Sequence, residues 1–137
     1  MASIGVEVDW DRLAEQAWAA RKQAYAPYSK FAVGAALLVE SGEVYSGCNV
    51  ENVSFGLTIC AERSAAAAAI RAGSREFCGI AIVADTGDAV VPCGACRQFL
   101  AEFNPSIPIQ TFGRGGVSGC WLLSDLLPSP FARIETK

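Results

Sequence analysis

Three cysteines constrain this chain more than any other feature: Cys60, within Cys60-Ala61-Glu62, and the pair within Pro92-Cys93-Gly94-Ala95-Cys96. The chain has no histidine, so thiols are its strongest donors for a soft or borderline metal. Two cysteines three positions apart can grip one ion from the first turn of a helix, and a third from elsewhere completes a tripod. If the three act together, the fold must carry two distant segments to one point. Zinc accepts thiolate readily and takes four tetrahedral ligands. Three from the protein leave the fourth position for water, which marks a catalytic rather than a structural site. Glu62, beside Cys60, is then the proton carrier such a water needs.

Other readings compete with this one. A lone C-x-x-C also serves as a redox pair or as half of a zinc ribbon. The upstream Cys-Ala-Glu and the proline before Cys93 argue against both. A closed structural site would need a fourth thiol from Cys48, Cys78 or Cys120, and none of these has a paired spacing.

At 137 residues the chain reads as a single domain, 1–137, long enough to bury a proper core. Hydrophobic residues make up 52% and charged residues 18%, which describes a compact protein with apolar surface left to hide, as in an oligomer. The net charge of −3 and pI near 4.9 show no electrostatic footprint for a polyanion. A small-molecule substrate is expected rather than nucleic acid. The start, Met1-Ala2-Ser3-Ile4-Gly5-Val6-Glu7-Val8-Asp9, carries acid where a signal peptide needs base. Charges or glycines interrupt every apolar run before membrane-spanning length. Together these predict a cytoplasmic protein with reduced thiols and no membrane partner.

Apolar spacing from Trp10 to Tyr25 predicts a helix capped by Asp9 and ended by Pro27. Val33 to Val39 and Val44 to Val50, separated by Ser41-Gly42, read as a hairpin. Ala61 to Ala72 reads as a helix stopped by Gly73. Gly79 to Ala84 reads as a buried strand, Gly94 to Phe103 as a helix, and Ile107–Phe112 and Cys120–Leu123 as short strands loosely linked through Gly113, Gly115 and Gly116. This order predicts an α/β fold, a three-layer α/β/α sandwich on a mixed five-stranded sheet. The alanine run Ala65 to Ala69 needs only close helix packing as its explanation.

Cys60 precedes one predicted helix, and Cys93 and Cys96 open another. Helix N-termini lower a thiol's pKa, but each dipole is worth only about 0.3–1 kcal/mol, so a metal must do most of the deprotonation. Three thiolates on Zn²⁺ carry a formal charge of −1, which weakens the acidity of a bound water. Arg63 can offset this by donating hydrogen bonds to the sulfurs. Arg97 could do the same or face solvent. Burial beside the cluster should raise the pKa of Glu62, which suits an acid–base group at neutral pH.

These residues resemble the small, homotetrameric cytidine deaminases of pyrimidine salvage, whose zinc motif combines such cysteines with a non-ligating glutamate. The likeness extends through Tyr28-Ser29-Lys30-Phe31-Ala32-Val33-Gly34-Ala35-Ala36-Leu37, Gly47-Cys48-Asn49-Val50-Glu51-Asn52, Pro92 to Gln98, and Leu126-Leu127-Pro128 with Phe131. It implies zinc bound by Cys60, Cys93 and Cys96, one ion per chain, with Glu62 as proton shuttle. Asn49 and Glu51 would bind the ribose hydroxyl, and Phe31 would pack on the nucleoside. The Ala61 N–H and Glu62 would read the pyrimidine edge, while Phe131 would enter a neighbouring subunit's site. The implied reaction is hydrolytic deamination of cytidine and deoxycytidine. The alternatives are deamination of a modified cytosine nucleoside such as blasticidin S, or a non-catalytic zinc module. Phe55 replaces a frequent tyrosine, and Pro130 precedes the aromatic where a small residue is usual.

Overall fold

The computed structural model describes residues 7–132. Residues 1–6, the first part of the N-terminal stretch read above for a signal peptide, and 133–137 lie outside it. Helix α1 covers Trp10–Arg21, and the Asp9 carboxylate accepts the Arg12 N–H at 3.1 Å as its N-cap. Strands β1 (Val33–Val39) and β2 (Val44–Cys48) form the expected hairpin, and a short 3₁₀ turn occupies Phe55–Leu57. Helix α2 is Ala61–Arg71, β3 Phe77–Ala84, α3 Gly94–Ala101, β4 Pro108–Gly113, β5 Gly116–Leu122 and α4 Leu123–Leu126. The sheet order is β2-β1-β3-β4-β5, with β3 and β4 parallel and the other pairs antiparallel.

The continuous apolar runs of β1 and β3 reflect burial on both faces. Ala35, Leu37 and Val39 join Ile80 and Ile82 under α2 and α3, while Ala36, Leu38, Ala81 and Val83 pack with Leu13, Ala14 and Ala17 of α1. Alternate residues of a strand point to opposite faces, so each strand serves two cores. The three-layer sandwich on a mixed sheet follows directly.

Small residues set the spacing of these layers. A Cβ on Gly47 of β2 would run into the Ala65 amide and the Ser64 side chain of α2. Ala65, Ala66 and Ala69 are fully buried, whereas Ala67 and Ala68 are exposed. The alanine run is thus one buried face of α2 plus two residues of its outer face. Close packing against the sheet places the start of α2 beside the ends of β1 and β2.

Several boundaries differ from expectation. α1 ends at Arg21, before Pro27, because the Tyr25 N–H and C=O bond to the main chain of Asn49 and Glu51. Val50 leaves β2 to pair with Ile59. α3 stops at Ala101, and β5 starts at Gly116 rather than Cys120. Gly113 pairs with Gly116 across a two-residue turn, and Gly116 adopts φ +104°. The glycines therefore tighten a hairpin instead of loosening a link. Leu123 belongs to α4, which carried no sequence signal. Among the described residues, no helix is long and apolar enough to cross a membrane.

Candidate active site

Helices α2 and α3 begin side by side. Their N-cap residues are Cys60 and Cys93, and neither side chain makes the usual capping bond. Cysteine is not among the preferred caps. Here the two thiols turn towards each other instead, with their sulfurs 3.7 Å apart. Cys96, one turn into α3 and fully buried, completes a group whose sulfurs all lie within 4.8 Å of one another.

The donor set fits zinc. A Zn–S bond of about 2.3 Å at tetrahedral angles sets sulfurs roughly 3.8 Å apart, close to the Cys60–Cys93 spacing. Among the described residues, Cys48, Cys78 and Cys120 do not join the group, so these three thiols leave a fourth position open. The thiols are already electrically polarised. A hydrogen bond from Cys96 lowers the Cys60 pKa to about 5, with Arg63 and Cys93 adding to the effect. The Cys96 thiol is pushed far up, first by that same bond and then by burial.

Arg63 lies where an anionic cluster needs a cation. Its Nη2 donates to Cys60 Sγ at 3.7 Å and to the Thr58 carbonyl at 3.3 Å. The bond to Cys60 is the main reason its own pKa is raised. Its Nε is buried without a partner, so charge attraction to the sulfurs holds this guanidinium more than complete hydrogen bonding does. Arg97 has a different task. Its Nε donates to the Pro92 carbonyl at 2.8 Å and its Nη1 to the Leu126 carbonyl at 3.1 Å. It braces the turn before Cys93 and faces neither solvent alone nor the thiols.

Glu62 is 5% exposed and lines a cavity of about 250 Å³ together with Phe31, Asn49, Glu51, Ala61 and Cys93. Burial is the largest cause lifting its pKa from 4.5 to about 7, and the Cys60 thiolate adds to the rise. The group can therefore hold or release a proton near neutrality. Ala61 opens α2, so its N–H has no intrahelical acceptor and is available to a ligand.

Asn49 and Glu51, the residues expected to bind a ribose hydroxyl, are locked in place by their own bonds. Asn49 Oδ1 accepts the Val33 N–H at 2.9 Å, and Nδ2 donates to the Phe31 carbonyl at 2.8 Å. Glu51 accepts the Tyr28 and Ser29 N–H groups at 2.9 and 3.1 Å, and also the Ser29 hydroxyl. That hydroxyl is the chief reason its pKa is lowered. An adjoining hollow of about 270 Å³ is lined by Tyr28, Ser29, Glu51, Phe55 and Thr58, with Phe55 edge-on to Tyr28 at 5.8 Å. Phe131 is 71% exposed and does not line the Glu62 cavity of its own chain. Ser29, Thr58, Val90 and Val91 also line the cavity, and sequence reasoning did not find them. Ser29 carried a hint in lying within the stretch from Tyr28 to Leu37, and Val90 and Val91 another in lying just before Pro92; Thr58 carried none.

An open three-thiol metal position, a buried carboxyl titrating near neutrality and a small cavity over both define a metal-dependent hydrolytic enzyme. Comparison with known proteins narrows that class. The family model for the cytidine and deoxycytidylate deaminase zinc-binding region matches residues 9–110, and the chain belongs to this family. It is 47% identical over 127 residues to the cytidine deaminase of Sporosarcina psychrophila, covering 92% of this chain and 93% of that protein. Over 100 residues it is 49% identical to the cytidine deaminase of Mycobacterium tuberculosis, covering 73% and 75%. The crystal structure of cytidine deaminase from Burkholderia pseudomallei matches with a TM-score of 0.85 and 47% identity, over 90% of this chain and 100% of that one.

Proposed function

We propose that residues 1–137 form one catalytic domain that hydrolytically deaminates cytidine and deoxycytidine to uridine and deoxyuridine, releasing ammonia, in pyrimidine salvage. The observation that carries this reading is the burial of Glu62 beside three converging thiols and under a cavity of small-molecule size. Cys60, Cys93 and Cys96 would hold a zinc ion, which as a Lewis acid supplies a strong water-derived nucleophile at neutral pH.

The chain's own residues do the rest. Glu62, whose pKa is raised by burial, takes one proton from the attacking water and delivers it to the pyrimidine ring nitrogen; it then takes a second from the new C4 hydroxyl and gives it to the leaving amine as the C4–N bond breaks and the carbonyl forms. Arg63 draws charge from the sulfurs and so limits the penalty of three anionic ligands. The Ala61 N–H and Glu62 read the pyrimidine edge. Phe31, 41% exposed at the cavity mouth, packs on the nucleoside. Glu51 accepts three hydrogen bonds, and a carboxylate has about four acceptor sites, so one remains for a ribose hydroxyl. Asn49 acts with it and also fixes the strand entry that carries Phe31.

The same reading makes the protein a cytoplasmic homotetramer whose sites are shared, with Phe131 entering a neighbour's cavity and with neither nucleic acid nor membrane as partner. The exposed apolar side chains of Val53, Phe55 and Leu57 support assembly, since monomers seldom leave such a group uncovered.

Ultraviolet-monitored conversion of cytidine to uridine, with zinc quantified in the same sample, tests the proposal. Turnover that scales with zinc content is expected. Fully zinc-loaded protein that is idle on both cytidine and deoxycytidine would reject it.

A further inference from the structure

The tail after α4 is tied down, yet its aromatic ring is left out. The chain passes Pro128 and Pro130 to reach Phe131, which is 71% exposed. The main chain of the same residue is held at both polar atoms. The Phe131 N–H donates to Gln98 Oε1 at 2.9 Å, and Gln98 Nε2 donates to the Phe131 carbonyl at 3.0 Å. A primary amide paired with both main-chain groups of one residue acts like a rung of a β-ladder, fixing orientation as well as position. One residue earlier on α3, Arg97 holds the Leu126 carbonyl. Adjacent side chains of the helix that begins at Cys93 thus hold the last residue of α4 and, five residues on, Phe131, and the prolines restrict the chain between them.

We propose that Gln98 is a positioning residue, which clasps the Phe131 main chain so that the ring is presented, already ordered, to the substrate cavity of a neighbouring copy of this chain. This rests on the shared-site reading above. A tail anchored only for stability would bury its largest apolar group against its own chain. Here that group is the part left exposed, so the two bonds serve placement. An unclasped tail would still reach the neighbour but would lose freedom on each binding event, which weakens substrate binding without altering the reacting atoms. The effect therefore falls on KM and not on kcat.

The test compares zinc-loaded wild type with Gln98→Ala, Gln98→Glu, Phe131→Ala and the Gln98→Ala/Phe131→Ala double variant. Kinetics are measured on cytidine, assembly by sedimentation velocity and stability by thermal unfolding. Gln98→Ala should raise KM roughly tenfold, as expected for losing two hydrogen bonds, with kcat, assembly and Tm unchanged. Gln98→Glu keeps the acceptor for the Phe131 N–H and should fall between. Phe131→Ala should raise KM at least as much, and the double variant should match Phe131→Ala alone. An unaltered KM in Phe131→Ala would refute the shared-site reading itself. A raised KM in Phe131→Ala with none in Gln98→Ala, additive effects in the double, or loss of assembly or Tm in Gln98→Ala would overturn the role of Gln98 while leaving that reading intact.

Discussion

Replacing Glu62 with glutamine separates the carboxyl's two consequences, one for stability and one for turnover. In the folded, metal-free protein burial lifts its pKa from 4.5 to about 7, which corresponds to about 3 kcal/mol against the charged form. Because the folded pKa is the higher one, the favourable contribution is complete below pH 4.5 and is lost as pH rises to 7. Between pH 5 and 8 the wild type should lose about 2–3 kcal/mol from this source. Cys60 works in the opposite direction, since its folded pKa is lowered from 9.0 to about 5 and its contribution vanishes as pH falls through that range. The raw stability profile therefore mixes opposing slopes. Subtracting the Glu62→Gln profile cancels what the two proteins share and leaves the glutamate. Urea unfolding of chelated protein at pH 5 and pH 8 supplies the four numbers. The variant should gain about 2–3 kcal/mol on wild type between the two pH values. In the zinc-loaded state the same variant should keep its metal and lose on the order of 10²- to 10⁴-fold in kcat, because an amide cannot carry the proton. Parallel stability profiles would refute the buried-carboxyl argument. Near-normal turnover would refute the proton-shuttle role.

Two further outcomes follow from packing and from thiol chemistry. Gly47→Ala should lower Tm by roughly 5–10 °C and weaken zinc retention, because the new methyl group strikes α2 at Ser64 and Ala65, a turn beyond Cys60; calorimetry with metal analysis checks it, and an unchanged Tm would mean α2 does not press on β2. In chelated protein at pH 6, iodoacetamide should modify Cys60 ahead of the exposed Cys120, since Cys60 is then mostly thiolate, and added zinc should protect it. Peptide mapping by mass spectrometry reads both results, and equal labelling with and without zinc would place the metal elsewhere.

The chemistry was legible in the sequence where residue identity alone performs it. Thiols ligate, a carboxyl moves protons, and the pattern of Cys60, Glu62, Cys93 and Cys96 needs no coordinates to be read. The sheet was legible for a similar reason, since β1 and β3 are buried on both faces and therefore appear as unbroken apolar runs. What stayed hidden were side chains whose partners are main-chain groups of distant segments. Arg97 grips carbonyls of Pro92 and Leu126, Gln98 grips Phe131, and Glu51 grips amides of Tyr28 and Ser29. Every residue offers the same main-chain groups, so no residue type marks the receiving end of such a bond. Element ends were hidden likewise, because α1 stops where Tyr25 finds the Asn49 strand and not where a breaker stands.

One kind of signal does connect sequence to site without a family likeness. Local preferences are broken here repeatedly and close together. Two helices begin at cysteines that do not cap them, although serine or aspartate would stabilise each start by about 1 kcal/mol. A glutamate sits 5% exposed in the first turn of α2, where solvent would ordinarily keep it charged. Lys30 adopts φ 62° immediately before Phe31, a left-handed conformation disfavoured for a residue with a Cβ. Each departure costs stability that a folding requirement alone would not demand. They share a cause, because uncapped thiols can meet a metal, a buried carboxyl can titrate near pH 7, and a turned backbone can aim Phe31 into the cavity. A chain selected only to fold would have removed them one at a time; their convergence on one cavity is what the chemistry requires.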